Sequence, residues 1–285
     1  MLAQGSLIDR ATQAWVRATG RTVRVADHPW LDGPAGDPTS IGDAWLPREA
    51  ARLGGSVVEG GGLLDSFAAL QLDTGAVAPD IVRFYERTTE WRLDVWSQWC
   101  PAALPGGWII STVFARRLRQ LALPLRPLDA ARGMDSRVIR IEDHEGRQLG
   151  SAWLRTLRST GQVVYSGWYG IAQLPGAPRP SIRVAFPLPN GSITVFLAPT
   201  VGPGGSLRLE SPRGEFGHNG AYLVVRRDAE RIAVRRVPLI EHFEVYVDRD
   251  GTLRTDHELT LGPMPVLKLH YRMQPTDPGT ARARS

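Results

Sequence analysis

Apolar and polar positions change their period once along this chain, near residue 135. Residues 7–19 (LIDRATQAWVRAT) repeat apolar side chains at three- and four-residue spacing and stop at Gly20, which predicts a short amphipathic helix. Residues 27–62 are rich in Gly, Pro and Asp and predict one helical turn after Pro47 in an otherwise irregular loop. Trp30 and Trp45 within that loop need something to pack on. Ile81, Phe84/Tyr85, Thr88, Trp91, Val95/Trp96 and Trp99 then recur at helical spacing. They predict one long helix from Pro79–Asp80 to a stop before Pro101. A second helix is expected over WIISTVFARRLRQLAL (108–123), apolar on one side and arginine-rich on the other.

From Ser136 to Met273 about nine strand-like runs alternate with the turn signals DHEG, STG, PNG, GPGG, GHNG and DRDG. No helical pattern interrupts them, so the sheet should be antiparallel and sequentially connected. The last run passes into the polar PTDPGTARARS, without the long C-terminal helix of a helix-grip fold. The expected class is α+β, mainly β: an antiparallel lipocalin-like β-barrel with an N-terminal helical and loop region packing on it or capping it. The expected organisation is 1–134 helical and loop region, 135–274 barrel and 275–285 disordered tail.

The hairpin LIEHFEVYVDRDGTLRTDHELTL carries the candidate chemistry. Its D-R-D-G turn suits a three-residue loop with Gly251 in the left-handed conformation, which pairs Asp248 with Thr252. Alternation then places Glu241, Phe243, Val245 and Val247 on one face with Leu253, Thr255, His257, Leu259 and Leu261. This apolar face is expected to be the inner one, with Glu241 and His257 as diagonal neighbours upon it. The pair is read either as a contact that only fixes the sheet or as a general acid–base pair in a ligand cavity. Tyr271 joins the catalytic candidates if GPMPV is a five-residue loop, which would set it opposite His257; a four-residue loop would set His270 there. In QVVYSGWYGIAQL, Tyr165 and Tyr169 share a face and offer hydroxyls to a mostly apolar ligand. Phe243, Trp96, Trp99 and Tyr85 complete the expected ligand-binding set.

Composition removes several alternatives. The net charge of +5 is the balance of 34 basic and 29 acidic residues, and Lys268 is the only lysine. The arginines are scattered singly and in pairs, so the charge reflects GC-rich coding and no nucleic-acid partner is expected. Alternation sets Lys268 on the outer face with His270 and Arg272. One cysteine, Cys100, excludes an internal disulfide and a cysteine-based zinc cluster. P-loop, dinucleotide-binding and nucleophile-elbow motifs are lacking, as is any closely spaced histidine pair, so neither cofactor nor metal is expected. No apolar run reaches membrane-spanning length and no signal sequence is visible, which leads to a cytoplasmic expectation.

The runs YERTTEWRLDVWSQW, LRTLRSTGQVVYSGWYG and FPLPNGSITVFL resemble a family of bacterial proteins from GC-rich genomes that has no assigned activity. The resemblance covers the chain from about residue 60 onward and implies no catalytic residue. The expected function is binding of a hydrophobic small molecule in the barrel, with cofactor-independent cyclase or isomerase chemistry on a polyketide- or terpenoid-like substrate. A non-catalytic carrier of an apolar ligand, and a membrane-surface protein using residues 108–123 as an interfacial helix, are the alternatives.

Overall fold

The computed structural model describes residues 7–36, 42–100, 134–158, 160–161 and 163–276. The described residues form a mainly antiparallel β-sheet with three α-helices. The helices are α1 (Leu7–Thr19), α2 (Leu46–Leu53) and α3 (Pro79–Glu86). Three strands come from the first hundred residues: β1 (Arg21–Arg24), β2 (Ser56–Glu59) and β3 (Trp91–Trp99). The rest follow as β4 (Met134–Glu142), β5 (Gln148–Leu157), β6 (Val163–Ala172), β7 (Ser181–Leu188), β8 (Gly191–Val201) and β9 (Leu207–Glu210). Then come β10 (Gly220–Arg226), β11 (Arg231–Val237), β12 (Leu239–Val247), β13 (Leu253–Leu261) and β14 (Met264–Pro275).

The strand order is β2-β4-β5-β6-β7-β8-β9-β12-β13-β14-β3. The branch β10-β11-β1 leaves β8, whose first half pairs with β10 and whose second half pairs with β9. Every ladder is antiparallel, and among the described residues no ladder joins β3 to β2 or β4, so the sheet is open. The nine expected runs correspond to eleven strands. Pro238 divides the run 232–248 into β11 and β12, and the turn at Gly262 divides the run 253–273 into β13 and β14.

The long helix expected from Pro79 to Cys100 is not formed. Helix α3 ends at Glu86, a 3-10 turn follows, and Trp91–Trp99 is a strand paired along β14. The sequence WRLDVWSQW fits a two-residue period as well as a helical one: Trp91, Leu93 and Val95 pack into the main core, while Trp96, next after Val95, is half exposed. Backbone pairing with β14 settles the choice. Among the described residues before 135, β1, β2 and β3 are parts of the sheet. The second expected helix, 108–123, and the tail beyond Thr276 lie outside the described residues.

The inner face is covered, and so is the outer face over β4–β8, β10 and β11. The inner face carries the largest core, in which Leu63, Phe67, Leu70, Ile81, Phe84 and Tyr85 from residues 63–86 pack on strand residues such as Trp153, Phe186, Val195, Val245 and Leu269. The opposite face is covered by the loop expected to pack on something. Trp45, Leu46 and Ala50 lie on Ile139, Ile141, Leu154 and Trp168, while Trp30 and Leu31 lie on Phe196, Tyr222 and Val224. Arg52 ties the two outer pieces together, donating to Glu49 (2.7 Å) and to Asp32 (2.5 Å). Glu49 is buried, and a paired arginine is what makes a buried carboxylate tolerable.

Candidate functional site

The β12–β13 hairpin has the register expected from its turn. Gly251 adopts φ +74°, Gly251 N donates to Asp248 O (3.0 Å) and Asp248 N donates to Thr252 O (2.9 Å). Asp248 Oδ1 also accepts from the amides of Asp250 and Thr252, and Arg254 donates to Oδ2. Arg254 above all holds the Asp248 carboxyl below the usual carboxylate range, helped by those amides. The ladder then pairs Glu241 with Leu259, Phe243 with His257, Val245 with Thr255 and Val247 with Leu253.

Glu241 and His257 consequently share the inner face. Their side chains are 12% and 11% exposed, and Oε2 stands 3.2 Å from Nε2. The approach is not aligned as a hydrogen bond, so both ring nitrogens of His257 are buried without a hydrogen-bond partner. The Phe243 ring stacks on the imidazole at 3.7 Å between centroids and 14° between planes, which fixes its orientation. On the outer face, His242 meets Glu210 (3.0 Å), Glu244 accepts from Arg208 (3.3 Å), and Lys268 donates to Glu258 (2.5 Å).

The inner wall continues through β5 and β6. Tyr165 and Tyr169 lean over Gly167 until their hydroxyls meet at 2.5 Å. A Cβ at Gly167 would stand 3.0 Å from the Tyr165 hydroxyl and from the Phe186 ring, so the glycine is what allows the rings to close. Burial pushes both phenols above the ordinary value, as it does Tyr85, and the charges of Arg155 and Glu241 both bear on Tyr169. These hydroxyls therefore stay protonated and act as donors. Ser166 and Trp168 alternate onto the other face, where Trp45 Nε1 donates to Ser166 Oγ (3.1 Å).

Other expected members are placed differently. Tyr271 faces inward but pairs with Thr255, because the turn after β13 is tight and a register shift at Leu259/Thr260 sets Leu269 opposite His257. Trp96 points outward, half exposed, against His270 at 5.9 Å, so it lines nothing inside. The side chain of Trp99 lies outside the described residues. Tyr85 is buried against Phe84 and Phe67.

Two inner residues escaped the sequence reading: Trp153, and Arg155 beside it, which is 7% exposed. Their signal was the run LGSAWLRTL, in which an arginine interrupts a strand that is apolar on both faces. A groove of about 550 Å³ opens at the far end of the hairpin, between Gly251–Leu253, Trp91–Arg92 and Met273–Thr276, and reaches neither Glu241 nor His257. Among the described residues no helix is long and apolar enough to cross a membrane. The chain matches no family model, no curated protein and no solved structure.

Proposed function

We propose that this protein binds a hydrophobic small molecule against the inner face of its sheet, and that Glu241 and His257 perform acid–base chemistry on it as a cofactor-independent cyclase or isomerase. One observation carries the reading. A carboxylate and an imidazole stand 3.2 Å apart on an apolar inner face, and neither imidazole nitrogen is engaged in a hydrogen bond. A histidine placed to stabilise the sheet would be expected to satisfy its nitrogens. Here the ring is held by stacking while its proton-transfer atoms are left to a ligand.

In this reading His257 takes or gives a proton at a carbon or oxygen next to a carbonyl. Glu241 stabilises the imidazolium, and of the paired Tyr165 and Tyr169 hydroxyls the one whose proton is not used between them donates to the oxygen on which charge develops. Around the site Phe243, Val247, Leu259 and Leu261 are only partly buried although they face inward, which suits a wall that meets a ligand. The lipocalin-like barrel belongs to the same proposal. Its support is Val95 of β3 packing on Met134 of β4 and Leu157 of β5, between strands that no ladder joins.

Glu241→Gln and His257→Asn variants test the assignment, with an apolar ligand recovered from the purified protein and turnover followed by mass spectrometry. We expect turnover to fall about 100-fold or more in each variant while ligand affinity changes by less than about threefold. Unchanged turnover in both variants would remove the pair from catalysis. Retained affinity with no turnover in the unsubstituted protein would identify a carrier.

A further inference from the structure

Arg155 lies on the inner face of β5, paired with Tyr165 across the β5–β6 ladder, and only 7% of it is exposed. Its guanidinium carbon stands 3.7 Å from the centre of the Trp153 ring, 4.8 Å from that of Tyr165 and 5.0 Å from that of Tyr271. Nε is buried without a hydrogen-bond partner, and among the described residues Arg155 makes no ion pair. The inner carboxylate of Glu241 does not serve it, because Glu241 stands against His257.

An arginine cannot relieve this situation by losing its proton. Three aromatic rings offset part of its lost hydration, but they leave Nε without a hydrogen-bond acceptor. A planar cation packed among rings with its Nε–H unpartnered suits a planar anion, which it can hold in two parallel hydrogen bonds from Nε and a terminal nitrogen.

We propose that Arg155 binds the carboxylate of an apolar acid, so that the ligand is a long-chain, polyketide or isoprenoid carboxylic acid held by its head at Arg155 with its apolar body along the inner face. This inference rests on the inner-face ligand site proposed above. It adds the head-group chemistry, which the acid–base pair alone does not define.

The test uses the full chain and three probes: dansyl-labelled undecanoic acid, its methyl ester, and dodecyl phosphate as competitor. The expected result is that the acid binds about tenfold or more tightly than the ester. Arg155→Gln and Arg155→Met should abolish that preference by weakening the acid alone. Arg155→Met should also melt at the same or a higher temperature than the unsubstituted protein without ligand, since it removes a buried charge that no described residue pairs with.

Equal binding of acid and ester by the unsubstituted protein would overturn the carboxylate assignment and leave the apolar ligand site standing. That comparison needs no variant to fold. Stronger binding of dodecyl phosphate than of the acid would also overturn it, in favour of a phosphate head. No binding of acid or ester by the folded protein would overturn the ligand site itself. Variants that lower the melting temperature and leave the acid preference intact would make Arg155 a packing residue.

Discussion

Gly167 shows how one residue shapes the inner wall. Two tyrosines four apart on a strand cannot normally touch, yet a missing side chain between them lets their hydroxyls meet at 2.5 Å. Adding a methyl at Gly167 sets a carbon 3.0 Å from both the Tyr165 hydroxyl and the buried Phe186 ring, so one of them must shift. We expect Gly167→Ala to cost about 1–3 kcal/mol in urea denaturation, as overpacking of a filled core does. An unchanged urea midpoint would show that the two rings are not closed over the glycine in solution. The same sensitivity explains why the tyrosines were legible as a pair while Arg155 was not. Alternation reports which face a residue takes, whereas the worth of a buried arginine depends on what else occupies that face.

At the level of elements, the β12–β13 hairpin was readable because its register is a local property. A glycine at the third turn position and an aspartate that accepts two amides select one loop, and the loop selects every cross-strand pair beyond it. Gly251 has open space around its missing Cβ, so a substitution there meets only backbone strain. Gly251→Ala should therefore destabilise by about 1 kcal/mol, and Gly251→Asn by less, because asparagine tolerates the left-handed region better. Equal melting curves for all three proteins would exclude the positive-φ turn and with it the register that unites Glu241 and His257. The element that misled was β3. Its tryptophans satisfy helical and strand spacing together, and a partner strand 168 to 184 residues away in the chain chose between them.

For the whole molecule, the buried phenols set a pH limit. Tyr85, Tyr165 and Tyr169 are raised above their ordinary value of 10.0, chiefly by burial, so the folded state holds their protons more tightly than the unfolded chain does. The stability this contributes is complete below about pH 10 and is lost as the pH rises from there toward the folded values. Alkaline titration should show part of the tyrosinate absorbance appearing only together with unfolding, and Tyr165→Phe should move that transition to higher pH. Smooth ionisation of all six tyrosines near the ordinary value, with the fold intact, would contradict the inner packing described here.

Taken alone, the sequence determined what acts over a few residues: the amphipathic helix α1, the strand periods after residue 135, the turn at Gly251 and the shared face of Glu241 and His257. Each follows from backbone sterics or side-chain alternation, which need no knowledge of distant chain. Tertiary structure alone decided that Trp91–Trp99 is a strand, that Trp96 turns outward, and that Tyr271 stands opposite Thr255. It also decided that Arg155 is buried among Trp153, Tyr165 and Tyr271 without a charge partner among the described residues. Those outcomes depend on which strands meet and how tightly. Pairing and burial are long-range terms that a local pattern does not contain.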